Sequence, residues 1–204
     1  MKGLFNGVYE KTAVLVTGHT GFKGSWLTSW LVEMGANVIG FSLPDPPTTP
    51  SNFEACGLSS KITDLRGDIR DYDAVLNVIQ THQPKIIFHM AAQPIVLHSV
   101  RQPKLNIDTN AGGTVNVLEA IRATDCVKAL VSISTDMVYY NAEWIWGYRE
   151  TDKLGGSDPY SASKAMAELA IASYRDTYFA PANYAEHGVA IGSVRAGNVI
   201  GGGD

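Results

Sequence analysis

Cysteine is scarce. Only Cys56 and Cys126 occur in 204 residues, and their spacing matches no metal-ligand or redox pattern. This argues against a disulfide framework or a cysteine-bound metal, and predicts both thiols as small buried side chains in a reducing compartment. Charge is modest as well: 18% of residues are charged, and 16 Lys and Arg stand against 20 Asp and Glu, for a net −4. Without a basic excess there is no electrostatic footprint for nucleic acid. No apolar run reaches the length of a membrane span. Met1–Glu10 has Lys2 but no apolar core, so neither a signal peptide nor a membrane partner is expected, and a cytoplasmic location follows. Repeats and low-complexity stretches are missing, and Pro44–Pro50 is a short Pro/Thr loop rather than a linker. What is there is a 45% hydrophobic chain, enough for one domain with a real core.

The informative stretch lies near the beginning. Thr12–Thr17 is a β-branched run, and Gly18, Gly21 and Gly24 follow it at G-x-x-G-x-x-G spacing. Phe22, Trp26, Leu27, Trp30, Leu31 and Met34 then recur at helical spacing. A buried strand, a glycine turn and a helix N-terminus in that order suit a dinucleotide. The glycines let the backbone approach a pyrophosphate, and the helix directs free N–H groups and its positive dipole end at the phosphates. Trp26 and Trp30 are expected in the core or an interface.

Further strands are expected at Asn37–Ser42, Lys61–Arg66, Lys85–Met90, Val127–Ser134 and Val189–Val194, with helices between them, notably Leu105–Thr124 and Pro159–Tyr178. This alternation predicts a doubly wound parallel α/β sheet. The second strand ends at Ser42, where an adenosine ribose is usually held. Asp45 is three residues on, and no adjacent arginine awaits a 2′-phosphate, so NAD is favoured over NADP. Asp68, at the next strand end, can accept from the adenine amino group, and Ile69 can pack on the ring. A helix N-cap is the competing role for Asp68, and the better one for Asp71. His89 reads as a hydrogen-bonded histidine rather than a metal ligand, since no second ligand is spaced to help it. Tyr139–Asp158 is a long aromatic loop, and loops of this length are usually functional or disordered.

Tyr160-Ser161-Ala162-Ser163-Lys164 opens the last long helix, and residues i and i+4 share a helix face. A phenol of pKa ~10 is a poor base at neutral pH. An ammonium beside it, with the positive charge of an oxidised nicotinamide, favours the phenolate. Tyr160 can then take a proton from a substrate hydroxyl whose carbon gives up hydride. Thr135 offers a second hydroxyl at a strand end.

These motifs resemble the extended short-chain dehydrogenase/reductase family. Thr17–Gly24 is similar to its T-G-x-x-G-F-x-G, and Tyr160–Lys164 to its Y-x-x-x-K. The resemblance sharpens to the CDP-glucose 4,6-dehydratases through Gly18–Trp26, Gly67–Asp71, Ala91–Pro94, the tryptophan-rich Glu143–Glu150 and Arg195–Asp204. It implies a Rossmann fold with NAD held by Gly18, Thr20, Gly21, Phe22, Lys23, Gly24, Ser42, Asp68, Ile69, Ala91, Ala92, Gln93, Asn110, Tyr160 and Lys164. It also implies Gln93, Thr135 and Asn198 against the nucleotide-sugar substrate, CDP-glucose. The catalytic set would be Thr135, Asp136, Tyr160 and Lys164. The sugar is oxidised at C4, loses water across C5–C6 with Asp136 as the acid, and is reduced at C6. Similar enzymes have Lys or Glu after that Asp, thought to take the C5 proton; here Met137 stands there. Leu97 and His98 stand where arginine is usual. The family continues past Asp204 into a substrate-binding lobe, so residues 1–204 are expected to be an NAD-binding domain truncated before it. Members often dimerise by packing the Leu105–Thr124 and Pro159–Tyr178 helices into a four-helix bundle, so a homodimer is expected. Two alternatives are a nucleotide-sugar epimerase or 4-oxidoreductase, and a non-catalytic NAD-binding module.

Overall fold

The computed structural model describes residues 1–204. Six strands form one parallel sheet: β1 (Ala13–Thr17), β2 (Asn37–Ser42), β3 (Thr63–Arg66), β4 (Ile86–His89), β5 (Ala129–Ile133) and β6 (Ala190–Val194), in the order β3-β2-β1-β4-β5-β6. Val14 pairs with Val38 on one side and Ile86 on the other. Between β1 and β4 the strand order reverses, which opens a crevice at their carboxyl ends.

Around the sheet lie α1 (Phe22–Glu33), the short α2 (Asn52–Ala55), α3 (Tyr72–His82), α4 (Val96–Arg101), α5 (Pro103–Ile107), α6 (Gly113–Arg122), α7 (Pro159–Tyr178) and the short α8 (Tyr184–His187). The period of two along β1 divides the core. Val14 and Val16 pack under α1 with Leu31, Met34 and Val38, while Leu15 joins the larger cluster with Ile39, Ile79, Ile87, Leu118 and Ile171. Two helix starts follow directly from sequence. The Asp71 side chain accepts from Ala74 N at 3.1 Å, and Asp158 accepts from Ser161 N at 3.0 Å with Pro159 in the first turn.

Three expectations need correction. The helix expected at Leu105–Thr124 begins at Pro103 and passes from α5 into α6 through a π-helical turn at Asp108–Gly112. Helix α4 precedes it and was not foreseen; at six residues it is too short to show a period. Cys126 is buried but Cys56 is exposed, because it lies at the open end of α2. Trp26 and Trp30 are exposed, which removes the core half of their expectation and leaves the interface, and the Trp26 indole donates to Gly202 O at 2.9 Å.

Candidate active site

The glycine turn is built by close approach. Gly18 has φ +74°, and a Cβ there would lie 2.8 Å from the Ala91 backbone. A Cβ on Gly24 would lie 2.1 Å from Gly18 O, so only glycine lets α1 seat against the turn. Gly21 is the N-cap of α1 and makes no side-chain cap, and Ser25 N is the first amide to bond back, to Gly21 O. The amides of Phe22, Lys23 and Gly24 precede that bond, so they are open to an anion. Glycines that bring the backbone close, beside an uncapped helix start, fit a pyrophosphate.

His19, which carried no assignment in the sequence, is wholly buried and locks this turn to the sheet. Its Nδ1 meets Ser42 Oγ at 2.9 Å and its Nε2 meets Asp64 Oδ1 at 2.8 Å. A Cβ on Gly40 would strike its ring at 2.5 Å. Burial lowers its pKa, against the pull of Asp64. The Ser42 hydroxyl therefore faces inward to His19, and it also accepts from Thr20 N at 3.4 Å. It does not reach out to a ribose as expected. Nor is the end of β2 free of arginine: Arg66 of β3 lies beside it, donating to Leu43 O at 3.2 Å and Pro44 O at 3.1 Å. That neighbour comes from strand pairing, which places Arg66 opposite Ser42.

Asp68 has a partner the sequence did not suggest, and Ile69 differs from expectation. Both carboxylate oxygens of Asp68 accept from the Arg70 guanidinium, which holds Asp68 below the usual carboxylate range. Ile69 is a core side chain whose end fills the space a Cβ on Gly113 would need, and its carbonyl accepts from Asn116 Nδ2 at 2.9 Å, so the side chain does not pack on a ring.

The Tyr160 end of the crevice is more crowded with chemistry. Thr135 Oγ1 donates to Asp136 Oδ1 at 3.1 Å and accepts from Met137 N at 3.3 Å. Burial pushes the Tyr160 phenol above its ordinary pKa; the Thr135 hydroxyl acts against this, and the Asp136 and Asp158 carboxylates add to it. The structure thus brings Thr135, Asp136 and Tyr160 together. Lys164 Nζ donates to Ile133 O at 2.7 Å, and burial first, then the charge of Lys23, lowers its pKa to about 8. Lys23 belongs to the glycine turn, and contacts tie that turn to α7: Gly18 abuts the Ala91 backbone, Gln93 N donates to Asn110, and Asn110 donates to Ser163 of α7. The expectation that Lys164 lowers the Tyr160 pKa is not met in the chain alone, since the ammonium is turned to the Ile133 carbonyl.

A buried amide network holds these parts in register. Gln93 N donates to Asn110 Oδ1 at 2.8 Å, Asn110 Nδ2 donates to Ser163 Oγ at 2.9 Å, and Ser163 Oγ bonds to Asn106 Oδ1 at 2.7 Å. The buried hydroxyl of Ser99, on α4, accepts from Tyr160 N at 3.1 Å. Neither Asn106 nor Ser99 was singled out in the sequence; both depend on helix geometry that local pattern does not reveal. His89 is buried, with Nδ1 at 2.8 Å from Thr17 Oγ1 and Nε2 at 3.1 Å from Thr114 Oγ1, a satisfied histidine as read. Asn198 is exposed, next to Gly197, whose Cβ position lies 3.3 Å from Asp136 Oδ2. Met137 is 43% exposed. His98 borders a hollow of about 200 Å³ with Gln93, Arg101, Gln102 and Leu105. A hollow of about 650 Å³ lies away from Tyr160, further along α7 beside β6, where Arg195 pairs with Glu168 at 2.8 Å.

A family model described as GDP-mannose 4,6 dehydratase matches residues 15–187. The chain belongs to that family. The family falls within the extended short-chain dehydrogenase/reductases, and its member here is similar to several characterised proteins. It is 54% identical over 196 residues to a CDP-glucose 4,6-dehydratase of Salmonella typhimurium, covering 96% of this chain and 54% of that one. It is 32% identical to a dTDP-glucose 4,6-dehydratase of Xanthomonas campestris, covering 82% and 50%. Among solved structures, dTDP-glucose 4,6-dehydratase from Bacillus anthracis in complex with NAD superposes with a TM-score of 0.75 at 26% identity, over 94% of this chain and 56% of that one. The chain spans about half the length of the curated relatives it matches. No helix is long and apolar enough to cross a membrane.

Proposed function

We propose that this chain carries the cofactor-binding and proton-transfer machinery of an NAD-dependent nucleotide-sugar 4,6-dehydratase, with CDP-glucose as substrate. One observation carries the reading: Thr135 and Asp136 lie beside Tyr160 at the carboxyl end of β5, where Lys164 Nζ donates to Ile133 O. The glycine turn and the free amides of α1 would hold the pyrophosphate, Lys164 the nicotinamide ribose, and Gln93 and Asn110 the ring's surroundings. Bound there, NAD supplies the hydride acceptor for C4 and the hydride donor for C6.

The chain's own groups handle the protons. Tyr160 takes the proton of the sugar 4-hydroxyl as that carbon becomes a ketone, and Thr135 hydrogen-bonds the same oxygen. The phenolate forms more readily once Lys164 turns from Ile133 O toward the ribose, because the ammonium then faces the phenol. The ketone acidifies C5–H; solvent water takes that proton, since Met137 cannot, and supplies the one that returns to C5 as hydride reaches C6. Asp136 acts as the acid, delivering a proton to the departing C6 hydroxyl so that it leaves as water. The product is CDP-4-keto-6-deoxyglucose. NAD selection is supported by the NAD-bound dTDP-glucose dehydratase at 26% identity. Pairing through the exposed Met166 and Leu169 of α7 with a second copy, forming a four-helix bundle, belongs to the same proposal.

A second reading stops at C4 chemistry, as in an epimerase. Met137 favours it, because a thioether beside Asp136 cannot accept the C5 proton. Incubation with CDP-glucose and NAD separates the two by mass: loss of one water supports dehydration, while an unchanged mass with a new stereoisomer supports epimerisation. Met137→Lys is expected to raise any dehydratase rate, and an unchanged rate places residue 137 off the proton path. NAD binding without turnover of any nucleotide sugar would leave a binding module.

A further inference from the structure

Arg66 lies opposite Ser42 at the end of β2, the end at which this fold holds a dinucleotide's ribose. Its Nη1 donates to the carbonyls of Leu43 and Pro44, the two residues after that strand, and its guanidinium lies over the Phe53 ring at 5.4 Å. In this fold the end of β2 decides between a 2′-hydroxyl, taken by a carboxylate, and a 2′-phosphate, taken by an arginine. A free Arg66 would invite the phosphorylated dinucleotide. It is not free. Asp64 lies two residues away on the same face of β3, and its Oδ2 accepts from Arg66 Nη2 at 2.8 Å. The other oxygen, Oδ1, is fixed by buried His19 at 2.8 Å.

We propose that Asp64 is a cofactor-specificity residue: by pairing with Arg66 and tethering it, Asp64 denies a 2′-phosphate its cationic partner and so selects NAD over NADP. The exposed Asp45, three residues past the end of β2, adds a second negative charge to that loop. The inference rests on the dinucleotide reading above, which the same experiment tests separately.

The test is calorimetric titration of the chain with NAD and with NADP, the weaker ligand measured by competition, in the unaltered chain and in Asp64→Asn, Arg66→Met and the double variant. Asparagine keeps an acceptor for His19 and places an N–H where the oxygen bound to Arg66 stood, which releases the guanidinium. Asp64→Asn is expected to tighten NADP relative to NAD on the order of ten-fold, the strength of one charge-assisted hydrogen bond. The double variant should lose that gain. Arg66→Met alone leaves the Asp64 carboxylate with His19 but without a guanidinium, so NADP should weaken further while NAD moves by less than about two-fold. A ratio unchanged in Asp64→Asn, or a gain that survives in the double variant, overturns the proposal. Should Asp64→Asn fail to fold, Arg66→Met decides, and equal or tighter NADP binding there overturns it. Failure of the unaltered chain to bind either dinucleotide overturns the cofactor reading itself.

Discussion

Acid should destabilise this fold through one histidine. The Thr17 hydroxyl oxygen accepts from Met90 N at 3.1 Å and Ala91 N at 3.2 Å, so its hydrogen is left for His89 Nδ1. The Thr114 hydroxyl donates to Asn110 O at 2.6 Å, so it can only accept from His89 Nε2. The two threonines thus dictate a neutral imidazole protonated at Nε2. A second proton at Nδ1 would face a hydroxyl already committed as donor and saturated as acceptor. Burial, and then the charge of Lys164, lower the His89 pKa from the ordinary 6.5 to about 3. The sign follows from linkage: below 6.5 the unfolded chain binds a proton that the folded chain refuses, so stability is lost as pH falls from 6.5 toward 3. At about 1.4 kcal/mol per pH unit, His89 should cost about 2 kcal/mol between pH 7 and pH 5. Urea unfolding at the two pH values measures it in the unaltered chain and in His89→Gln, whose amide can copy both bonds. His19, also buried and lowered, titrates in the same direction in both proteins and cancels in the comparison. The variant should lose about 2 kcal/mol less on acidification. An identical pH dependence in the two proteins would refute the reasoning.

Three further outcomes are expected. Gly24→Ala would set a methyl 2.1 Å from Gly18 O and should lower stability by about 2–3 kcal/mol, whereas Gly112→Ala, with nothing within 4 Å of its Cβ position, should change it by less than about 1 kcal/mol; denaturant unfolding compares them. Ser99→Ala strips Tyr160 N of its acceptor and should cost about 1–2 kcal/mol, read as a drop in Tm that Ser99→Thr restores in part. Lys164, lowered from 10.5 to about 8, is more readily deprotonated folded than unfolded. Stability should therefore rise by about 2 kcal/mol between pH 8 and pH 10 relative to Lys164→Met, and parallel pH profiles would contradict this.

Much of this arrangement was legible in the sequence, for identifiable reasons. Strands buried on both faces are continuous β-branched runs, so β1 and β2 announce themselves. The phosphate turn was readable because its glycines are steric necessities: Gly18 and Gly24 have no room for a Cβ. The Asp71 and Asp158 caps were readable as local chemistry, although Asp158 was taken only as a loop end. Partners brought in from distant segments were not. Ser42 looked available for a ribose because nothing local shows that His19, 23 positions earlier, bonds its hydroxyl. Arg66 became a neighbour of the β2 end only through sheet pairing. Ile69 looked like a ring-packing residue until Gly113, far along the chain, was seen to leave it a slot. Tyr160 and Lys164 were found by spacing, but the direction of the ammonium depends on a carbonyl 31 residues away.

The wide turn at Asp108–Gly112 has an evolutionary consequence. A π turn holds one residue more than its α counterpart, and each residue of an α-helix advances the face by about 100°. Excising any one residue between Asp108 and Gly112 would let the segment relax to plain α-helix, swinging Asn106 and everything before it about a quarter-turn away from Ser163. Descendants of this sequence should accept substitutions across the segment far more readily than changes in its length.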